Sequence, residues 1–350
     1  MLAFTADNHL GVEAQWSLKE RKNDFLKAFH NVCLSVEEKQ ASSLIIGGDL
    51  FDTAHPPSFA VEFVQSEIRA LEAKGIRTYG IDGNHDIADN KWLKVCGITP
   101  LSDEPVIVDG KAVCGISYRR STEVIATLNA MADRGVKCDI IVLHLAFGEL
   151  NRMGAASDLT ANDILPALKA MGTRLVLMGH IHIAQDVTVD DVTFAYCGSS
   201  EICSMNEPKK KGITLVDDRL NLLPCPIETR EVENTVIGNE KEFAAYEASI
   251  AEGSPRLQAV FVGPEVKDGV RRLRDLAKAK RLLMRIQVLT VRTAGEESEI
   301  DRTVGVIGLE QAIGLSFREN SEEATLVRAI LRSPETLKMT VEKYMKGETK

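Results

Sequence analysis

Apolar and polar positions along this chain repeat with two different periods. Through residue 225, short apolar runs of strand length alternate with segments whose apolar residues recur at helical spacing. The strand-like runs are 2–6, 43–48, 76–81, 139–143 and 174–178. Helical spacing is clear over residues 59–74, where one face carries Ala60, Phe63, Val64, Ile68 and Leu71. A second helix is predicted near 162–171.

Other strands pair as hairpins. Residues 106–116 turn at Asp109-Gly110, a dipeptide that favours a tight hairpin turn. Residues 186–196 and 212–227 show the same antiparallel pattern. Because strands first alternate with helices and later pair as hairpins, the fold class is α/β, with a layered core of mixed sheets.

The pattern changes near residue 230. A helix at 240–250, a strand at 256–262, a helix at 267–281 and a strand at 281–291 predict a small separate α/β domain. Two further helices, 322–332 and 335–345, are separated by Ser333-Pro334 and predict a C-terminal helical hairpin. The predicted parts are therefore residues 1–228, a cap domain at 229–295, and a linker with a helical element at 296–350.

Composition describes an ordinary globular chain. It has 350 residues, 44% hydrophobic and 27% charged, which suits two or three domains. No apolar run approaches the roughly 18 residues of a membrane-spanning helix, and the N-terminus lacks the pattern of a signal peptide. Seven scattered cysteines without a CxxC motif indicate reduced thiols. We therefore expect a cytoplasmic protein with no membrane partner.

The net charge of −9 excludes a protein whose whole surface coats nucleic acid, but it leaves room for a local basic patch. Residues 267–292 carry nine basic and two acidic side chains. On the predicted helix, four of the basic residues fall within an arc of about 60°: Lys267, Arg271, Arg274 and Lys278. Such a run is either a solvated helix face or a contact for the DNA phosphate backbone. We favour the DNA contact.

Metal-capable side chains follow five of the apolar strands. They include five of the seven histidines, and the carboxyl ends of neighbouring strands in an α/β sheet open into one crevice. The set is Asp7, His9, Asp49, Asp52, Asn84, His85, Asp86, His144, His180 and His182. One such histidine could simply be a satisfied core residue, but the ordered set predicts a shared site.

The types of ligand indicate the metal. Carboxylates, imidazoles and one amide suit Mn²⁺, Fe²⁺ or Zn²⁺ better than Mg²⁺, and the lack of cysteine ligands disfavours a structural zinc site. The donors exceed the needs of one ion. We therefore expect two divalent ions that share a bridging carboxylate, and of these metals we expect Mn²⁺.

These motifs resemble a known family. Asp7-Asn8-His9, Gly48-Asp49-Leu50-Phe51-Asp52, Gly83-Asn84-His85-Asp86, His144 and Gly179-His180-Ile181-His182 look like the five phosphoesterase motifs of the calcineurin-like metallophosphoesterase superfamily. "DNHLG", "GDLFDTAHPPS" and "FAYCGSSEICSMNEPKKKGITLVD" are similar to SbcD-type DNA-repair nucleases. The resemblance implies two mixed β-sheets flanked by helices, and it covers residues 1–225 strongly.

The resemblance also implies a role for each site residue. One ion would be held by Asp7, His9, Asp49 and His182. Asp49 would bridge to a second ion, completed by Asn84, His144 and His180.

The family pattern leaves His85 off the metals, facing the scissile phosphate, where an imidazole can stabilise charge or protonate the leaving oxygen. Asp86 would orient His85. Asp52 matches the last position of "GDxxD", where some relatives carry histidine. The chain departs from the family at Cys197, where proline is usual, and at "SMNE" (204–207); neither departure is expected to touch a metal ligand.

The implied function is a two-metal DNA nuclease, exonuclease and endonuclease, acting in DNA end processing, repair or recombination. Its implied partners are DNA and an SbcC-type, SMC-like ATPase, bound by a homodimer within a heterotetramer. Two alternatives stay open from the residues alone. One is a phosphatase or phosphodiesterase acting on a substrate other than DNA, and the other is a non-catalytic subunit that anchors the ATPase.

Overall fold

The computed structural model describes residues 1–289, apart from residues 14, 16–17, 151–158 and 205–206. Its strands are β1 (Leu2–Thr5), β2 (Ser43–Gly47), β3 (Arg77–Ile81), β4 (Thr99–Pro100), β5 (Val106–Val108), β6 (Lys111–Ile116), β7 (Ile140–His144), β8 (Leu175–Gly179), β9 (Gln185–Val189), β10 (Val192–Tyr196), β11 (Lys211–Val216), β12 (Leu222–Ile227), β13 (Val232–Ile237), β14 (Leu257–Val262) and β15 (Met284–Val288). Its helices are α1 (Arg21–Glu38), α2 (Ser58–Ala73), α3 (Lys91–Val95), α4 (Ser121–Asp133), α5 (Ala161–Met171), α6 (Glu240–Ser249) and α7 (Gly269–Ala279).

Two six-stranded mixed sheets form the body of the fold. Their strand orders are β12-β11-β1-β2-β3-β4 and β5-β6-β7-β8-β10-β9. The central strands β1 to β4 are parallel in the first sheet, and β6, β7, β8 and β10 are parallel in the second. The predicted hairpins add antiparallel strands at the edges, with β5 on β6, β9 on β10, and β12 on β11. The predicted α/β class with two mixed sheets is confirmed.

Both faces of each sheet are buried, which explains the continuous apolar runs of the central strands. Between the sheets lies a layer of side chains that includes Phe4, Ile45 and Val142. On the outer face of the first sheet, α1 and α2 bury residues such as Phe29 and Val64. Helices α4 and α5 cover the second sheet in the same way. The result is a four-layer arrangement of helix, sheet, sheet and helix.

The third sheet, β13-β14-β15, is entirely parallel and carries α6 and α7. On β14, Val260 and Val262 pack on that helical side, whereas Leu257 and Phe261 belong to a cluster with Ile202 from the two-sheet body. This alternation lets one strand bury both its faces. The boundary at 228/229 falls between β12 and β13, and the domain division itself stays a prediction.

Sequence patterns missed strands β4 and β13 and helices α3 and α4. Strand β13 lies at the edge of its sheet and is mostly exposed in its middle, so apolar periodicity is weak there. Strand β4 has only two residues and helix α3 only five. Helix α4 does bury Val124, Leu128 and Met131 at helical spacing, so its signal was present in the sequence. The predicted C-terminal hairpin and residues 296–350 lie outside the described residues.

A buried arginine lies where the body of the fold meets the third sheet. The Arg21 side chain is fully buried, and it donates to the Asp24 carboxylate (2.8 Å), the Ile202 carbonyl oxygen (2.6 Å) and the Glu201 carboxylate (3.3 Å). Arg230, just before β13, pairs with the same Asp24 at 2.7 Å. A guanidinium group is well suited to this site because its planar donors can serve several acceptors at once.

We predict that Arg21→Met lowers the free energy of unfolding by about 3–5 kcal/mol, because it leaves the buried Glu201 carboxylate without its cation while roughly keeping side-chain volume. Denaturant unfolding of the purified chain measures this. Lys27→Met is the matched control, since the pair of Lys27 with Glu228 is largely exposed and its loss should cost less than about 1 kcal/mol. Equal effects of the two substitutions would contradict the prediction.

Candidate metal centre

Ten predicted side chains meet where the parallel strands of both sheets end. Asp7 and His9 follow β1, Asp49 and Asp52 follow β2, and the stretch 84–86 follows β3. From the second sheet, His144 is the last residue of β7, and His180 and His182 follow β8. Side chains up to 175 positions apart thus come together because the two sheets present their carboxyl ends on the same side of the molecule.

Four of these residues hold a backbone conformation that L-residues rarely adopt. The φ angles of Asp7, His9, Asp49 and His180 lie between 47° and 95°. Such left-handed residues cost roughly 1–3 kcal/mol each and persist where surrounding contacts enforce them. Those contacts include hydrogen bonds from the backbone N–H groups of Asn8 and His9 to the Asp49 carbonyl oxygen, at 2.8 and 3.0 Å.

The close contact between the loops after β2 and β3 requires a glycine at position 83. A Cβ atom there would overlap the carboxylate and backbone nitrogen of Asp49. The missing side chain therefore lets the loop after β3 lie directly against the loop after β2. This places the His85 backbone N–H 2.8 Å from the Asp49 Oδ1 atom, which accepts a hydrogen bond from it.

One group of donors centres on His144, Asp49 and Asn84. The His144 Nε2 atom lies 3.3 Å from Asp49 Oδ2 and 3.0 Å from Asn84 Oδ1, while His144 Nδ1 lies 2.8 Å from the Gly47 carbonyl oxygen. Because that carbonyl can only accept, Nδ1 carries the hydrogen in the neutral ring and Nε2 is directed into the site. His180 Nδ1 is 2.8 Å from the same Asn84 oxygen.

A second group centres on His9 and His182, whose Nε2 atoms face each other at 3.2 Å. Asp7 Oδ1 lies 4.0 Å from His182 Nε2, and Asp49 Oδ2 lies 3.9 Å from His9 Nε2. Asp49 therefore stands between the two groups. The two Nε2 atoms can both direct lone pairs into the space between them, and a bound cation would accept both lone pairs.

Charge coupling in the first group is strong. Burial alone would raise the pKa of the Asp49 carboxyl, but the His144 imidazole holds it well below its usual range. Burial would lower the pKa of His144, yet the Asp49 and Asp7 carboxylates raise it to about 9. Binding of a divalent cation here would therefore displace a proton from His144 and would become tighter as the pH rises.

His85 is exposed at the mouth of the site. Its ring packs edge-on against His9, with ring centroids 4.8 Å apart, and its Nδ1 atom lies 3.1 Å from the carbonyl oxygen of Asp52. That contact leaves Nε2 as the nitrogen that can meet a substrate. The Asp52 carboxylate instead lies 3.3 Å from His9 Nδ1.

Asp86 lies where it was expected but makes different contacts. Its carboxylate oxygens accept the backbone N–H groups of Phe51 (3.0 Å) and Gly83 (2.8 Å), so they fix the loops around Asp49. Burial and the nearby Asp49 charge raise the pKa of Asp86 to about 6. Asp86 was predicted to contact the His85 imidazole. The carbonyl oxygen of Asp52 makes that contact instead.

Three residues of the site escaped the sequence analysis. Glu207 accepts a hydrogen bond from His182 Nδ1 at 2.9 Å, although "SMNE" was expected to touch no metal ligand. The Cys203 thiol lies within reach of His9 and His182, in spite of the expected absence of cysteine. The Tyr118 ring stacks on His180, with centroids 6.4 Å apart. These residues lie in loops, outside helices and strands, so no periodic pattern in the sequence identifies them.

The four basic residues of the predicted DNA contact are all exposed. Arg271, Arg274 and Lys278 lie on α7, while Lys267 precedes the helix, which begins at Gly269 rather than at residue 267. The shorter helix reflects Asp268, whose φ of 52° is not helical. Arg271 also pairs with Asp268 at 2.7 Å.

The donor set fits a divalent metal site. Three clusters of imidazole, carboxylate and thiol atoms each lie within 4.8 Å of one another: Asp7, Asp49 and His144; His9, Asp49 and His85; and His9, His182 and Cys203. Imidazole and carboxylate ligands in this number suit first-row divalent metals.

Comparison with known proteins gives the family. Residues 1–184, just over half of the chain, match the calcineurin-like phosphoesterases. The chain belongs to the calcineurin-like phosphoesterase family. Its members are phosphoester hydrolases that use divalent metals, and the ligand clusters above are consistent with that chemistry.

Among calcineurin-like phosphoesterases, curated relatives are named DNA double-strand break repair protein Mre11. One from Haloferax volcanii is 29% identical over 67% of this chain and 55% of its own length, so the chain spans about half of that protein. One from Archaeoglobus fulgidus is 26% identical over 99% of this chain and 84% of its own length. A solved structure, TT1561 of Thermus thermophilus, aligns at 12% identity with a TM-score of 0.46 over 65% of this chain and 98% of its own.

Among the residues that the structure describes, no helix is both long and apolar enough to cross a membrane.

Proposed function

We propose that this chain is a two-metal DNA nuclease that hydrolyses phosphodiester bonds during DNA end processing, repair or recombination. The main support is the position of Asp49. Its carboxylate lies near histidines of both ligand groups, and the exposed His85 is next to it. One group would take Asp7, His9, Asp49 and His182, and the other Asp49, Asn84, His144 and His180.

Two divalent ions at these ligands, for which Mn²⁺ is our choice, would supply a hydroxide near neutral pH and neutralise the phosphate charge. The protein residues position the ligands and the substrate. Asp49 orients both ligand groups from its position between them. Asp7 fixes the loop after β8, since its carboxylate accepts the His180 backbone N–H at 2.9 Å.

His85 is the proposed catalytic residue. Held through Nδ1 by the Asp52 carbonyl oxygen, it can direct Nε2 at a bound phosphodiester. In the neutral ring, Nδ1 carries the hydrogen and Nε2 is an acceptor; in the protonated ring, Nε2–H can be donated to the departing sugar oxygen. Asp86 supports this step indirectly, by holding the loop that carries His85.

The choice of DNA as substrate rests on two further observations. The relatives that match the chain are named for DNA double-strand break repair. The exposed basic residues on and before α7 offer charges to a phosphate backbone in a chain whose net charge is −9.

The first experiment measures Mn²⁺-dependent release of nucleotides from linear duplex DNA, alongside hydrolysis of a small chromogenic phosphodiester. His85→Ala should keep bound metal and lower turnover by about 10²–10⁴-fold, because it removes a proton donor from the transition state. Asp49→Ala should lose both metal and turnover. His30→Ala is the control, since His30 pairs with Glu67 on the surface.

Hydrolysis of the small phosphodiester without any cleavage of DNA would favour a phosphodiesterase with another substrate. Loss of metal from His85→Ala in parallel with rate would make His85 a ligand. No hydrolysis of either substrate by the metal-loaded chain would favour an anchoring subunit.

Charge reversal of α7 tests the proposed DNA contact. Arg271→Glu with Arg274→Glu should weaken DNA binding and reduce the slope of log K against log salt by about 1.8, since two phosphate contacts are lost. The control pair Lys27→Glu with Lys169→Glu makes the same change in net charge at exposed sites on other elements. The measurement is binding affinity across a salt series, and an unchanged slope would leave the helix as a solvated face.

We also propose an SbcC-type, SMC-like ATPase as partner, bound by a homodimer of this chain within a heterotetramer. The support is the resemblance of residues 1–225 to SbcD-type nucleases, together with the apolar stripes at 322–332 and 335–345, which lie outside the described residues. We predict that deletion of residues 321–350 abolishes co-purification with such an ATPase and retains Mn²⁺-dependent nuclease activity. Undiminished co-purification would refute this docking role.

A further inference from the structure

The loop between β10 and β11 passes behind the metal ligand His182. It brings the Glu207 carboxylate, whose side chain is 7% exposed, to 2.9 Å from His182 Nδ1. The opposite ring nitrogen, Nε2, is the one that faces His9. The imidazole is therefore held between a carboxylate on one side and the ligand group on the other.

The second oxygen of Glu207 is fixed from several directions. It accepts hydrogen bonds from Lys211 Nζ at 2.6 Å and from the Cys203 backbone N–H at 3.0 Å. Lys211, 2% exposed, also donates to the Ser199 hydroxyl at 2.7 Å and to the His182 carbonyl oxygen at 3.1 Å. A buried carboxylate with this many donors has little freedom to move, and neither does the ring that it contacts.

Each of the two facing imidazoles has a carboxylate near its outer nitrogen. His182 Nδ1 is hydrogen-bonded to Glu207 at 2.9 Å, whereas His9 Nδ1 lies 3.3 Å from the Asp52 carboxylate without forming a hydrogen bond with it. A carboxylate behind the outer nitrogen fixes the tautomer and orientation of a metal-binding histidine and raises its basicity as a ligand. His144 and His85 have backbone carbonyl oxygens at the equivalent nitrogen.

We infer that Glu207, held by Lys211, is a positioning residue that sets the metal affinity of the His9–His182 group without binding metal itself. The inference rests on the metal centre of the proposed function. It assigns to Glu207 a role in loading one of the two ions. Because Glu207 touches no residue of the His144–Asn84–His180 group in the described contacts, that group should be unaffected.

The test is equilibrium binding of Mn²⁺ to the purified full chain, with bound metal measured by elemental analysis. Glu207→Ala should weaken one of two binding events by about 10–100-fold and leave the other unchanged. Glu207→Gln keeps most of the packing but only one acceptor oxygen and no charge, so it should fall between the wild type and alanine variants. Co²⁺ substitution adds an optical signal, because loss of an oriented imidazole changes the absorption of that ion.

Glu67→Ala is the matched control. It removes a carboxylate from a histidine at 3.0 Å, but that histidine, His30, lies on the surface away from the ligand groups. Turnover separates positioning from a structural role, since raising Mn²⁺ should restore the kcat of Glu207→Gln toward the wild-type value. A purely structural defect would not be rescued by metal.

Two equivalents of Mn²⁺ bound with wild-type affinity by both Glu207 variants would overturn the inference and leave the proposed nuclease function intact. Should the wild-type chain bind no divalent metal, the metal centre and the inference would both be overturned. If Glu207→Ala does not fold, Glu207→Gln together with Lys211→Met decides the question, because both keep side-chain volume and disturb the same network.

Discussion

The buried Asp49 carboxylate is the interaction on which the rest of the centre depends. It is 1% exposed, yet it lies between the histidines of both ligand groups and accepts the backbone N–H of His85. A carboxylate in such a place is tolerated only where donors and cations surround it, because its desolvation would otherwise cost several kcal/mol. The glycine at position 83 and the left-handed backbone at Asp7, His9 and Asp49 follow from the need to bring those partners close.

The segment that follows β10 extends this arrangement outward. Ser200 accepts a hydrogen bond from the Asn8 side chain at 2.9 Å, and Ser199 contacts Lys211. The next residue, Glu201, pairs with the buried Arg21, and Ile202 packs against the third sheet. These four contacts extend from the ligand loops, through residues 199–202, to the third sheet. Glu207, later in the chain, lies behind His182.

Sequence patterns were effective where a residue type and a strand end coincide. The positions of Asp7, Asp49 and His144 followed from apolar runs that stop at metal-capable residues, and the structure brings these side chains together in one buried cluster. The contacts of Asp86 and Glu207 could not be predicted in this way. A carboxylate in a loop can meet a backbone amide or an imidazole, and the choice depends on loop path rather than on spacing.

The sequence by itself determined the α/β class, the five apolar strands that lead into the site, and the set of residues at their ends. These follow from local periodicity and from the rule that parallel strands open their carboxyl ends on one side of a sheet. Only the tertiary structure decided which nitrogen of each imidazole faces the site, what stands behind it, and how Asp24 comes to pair with both Arg21 and Arg230. Those features depend on distances between side chains far apart in the chain, which become defined only when both sheets and their loops have packed against each other.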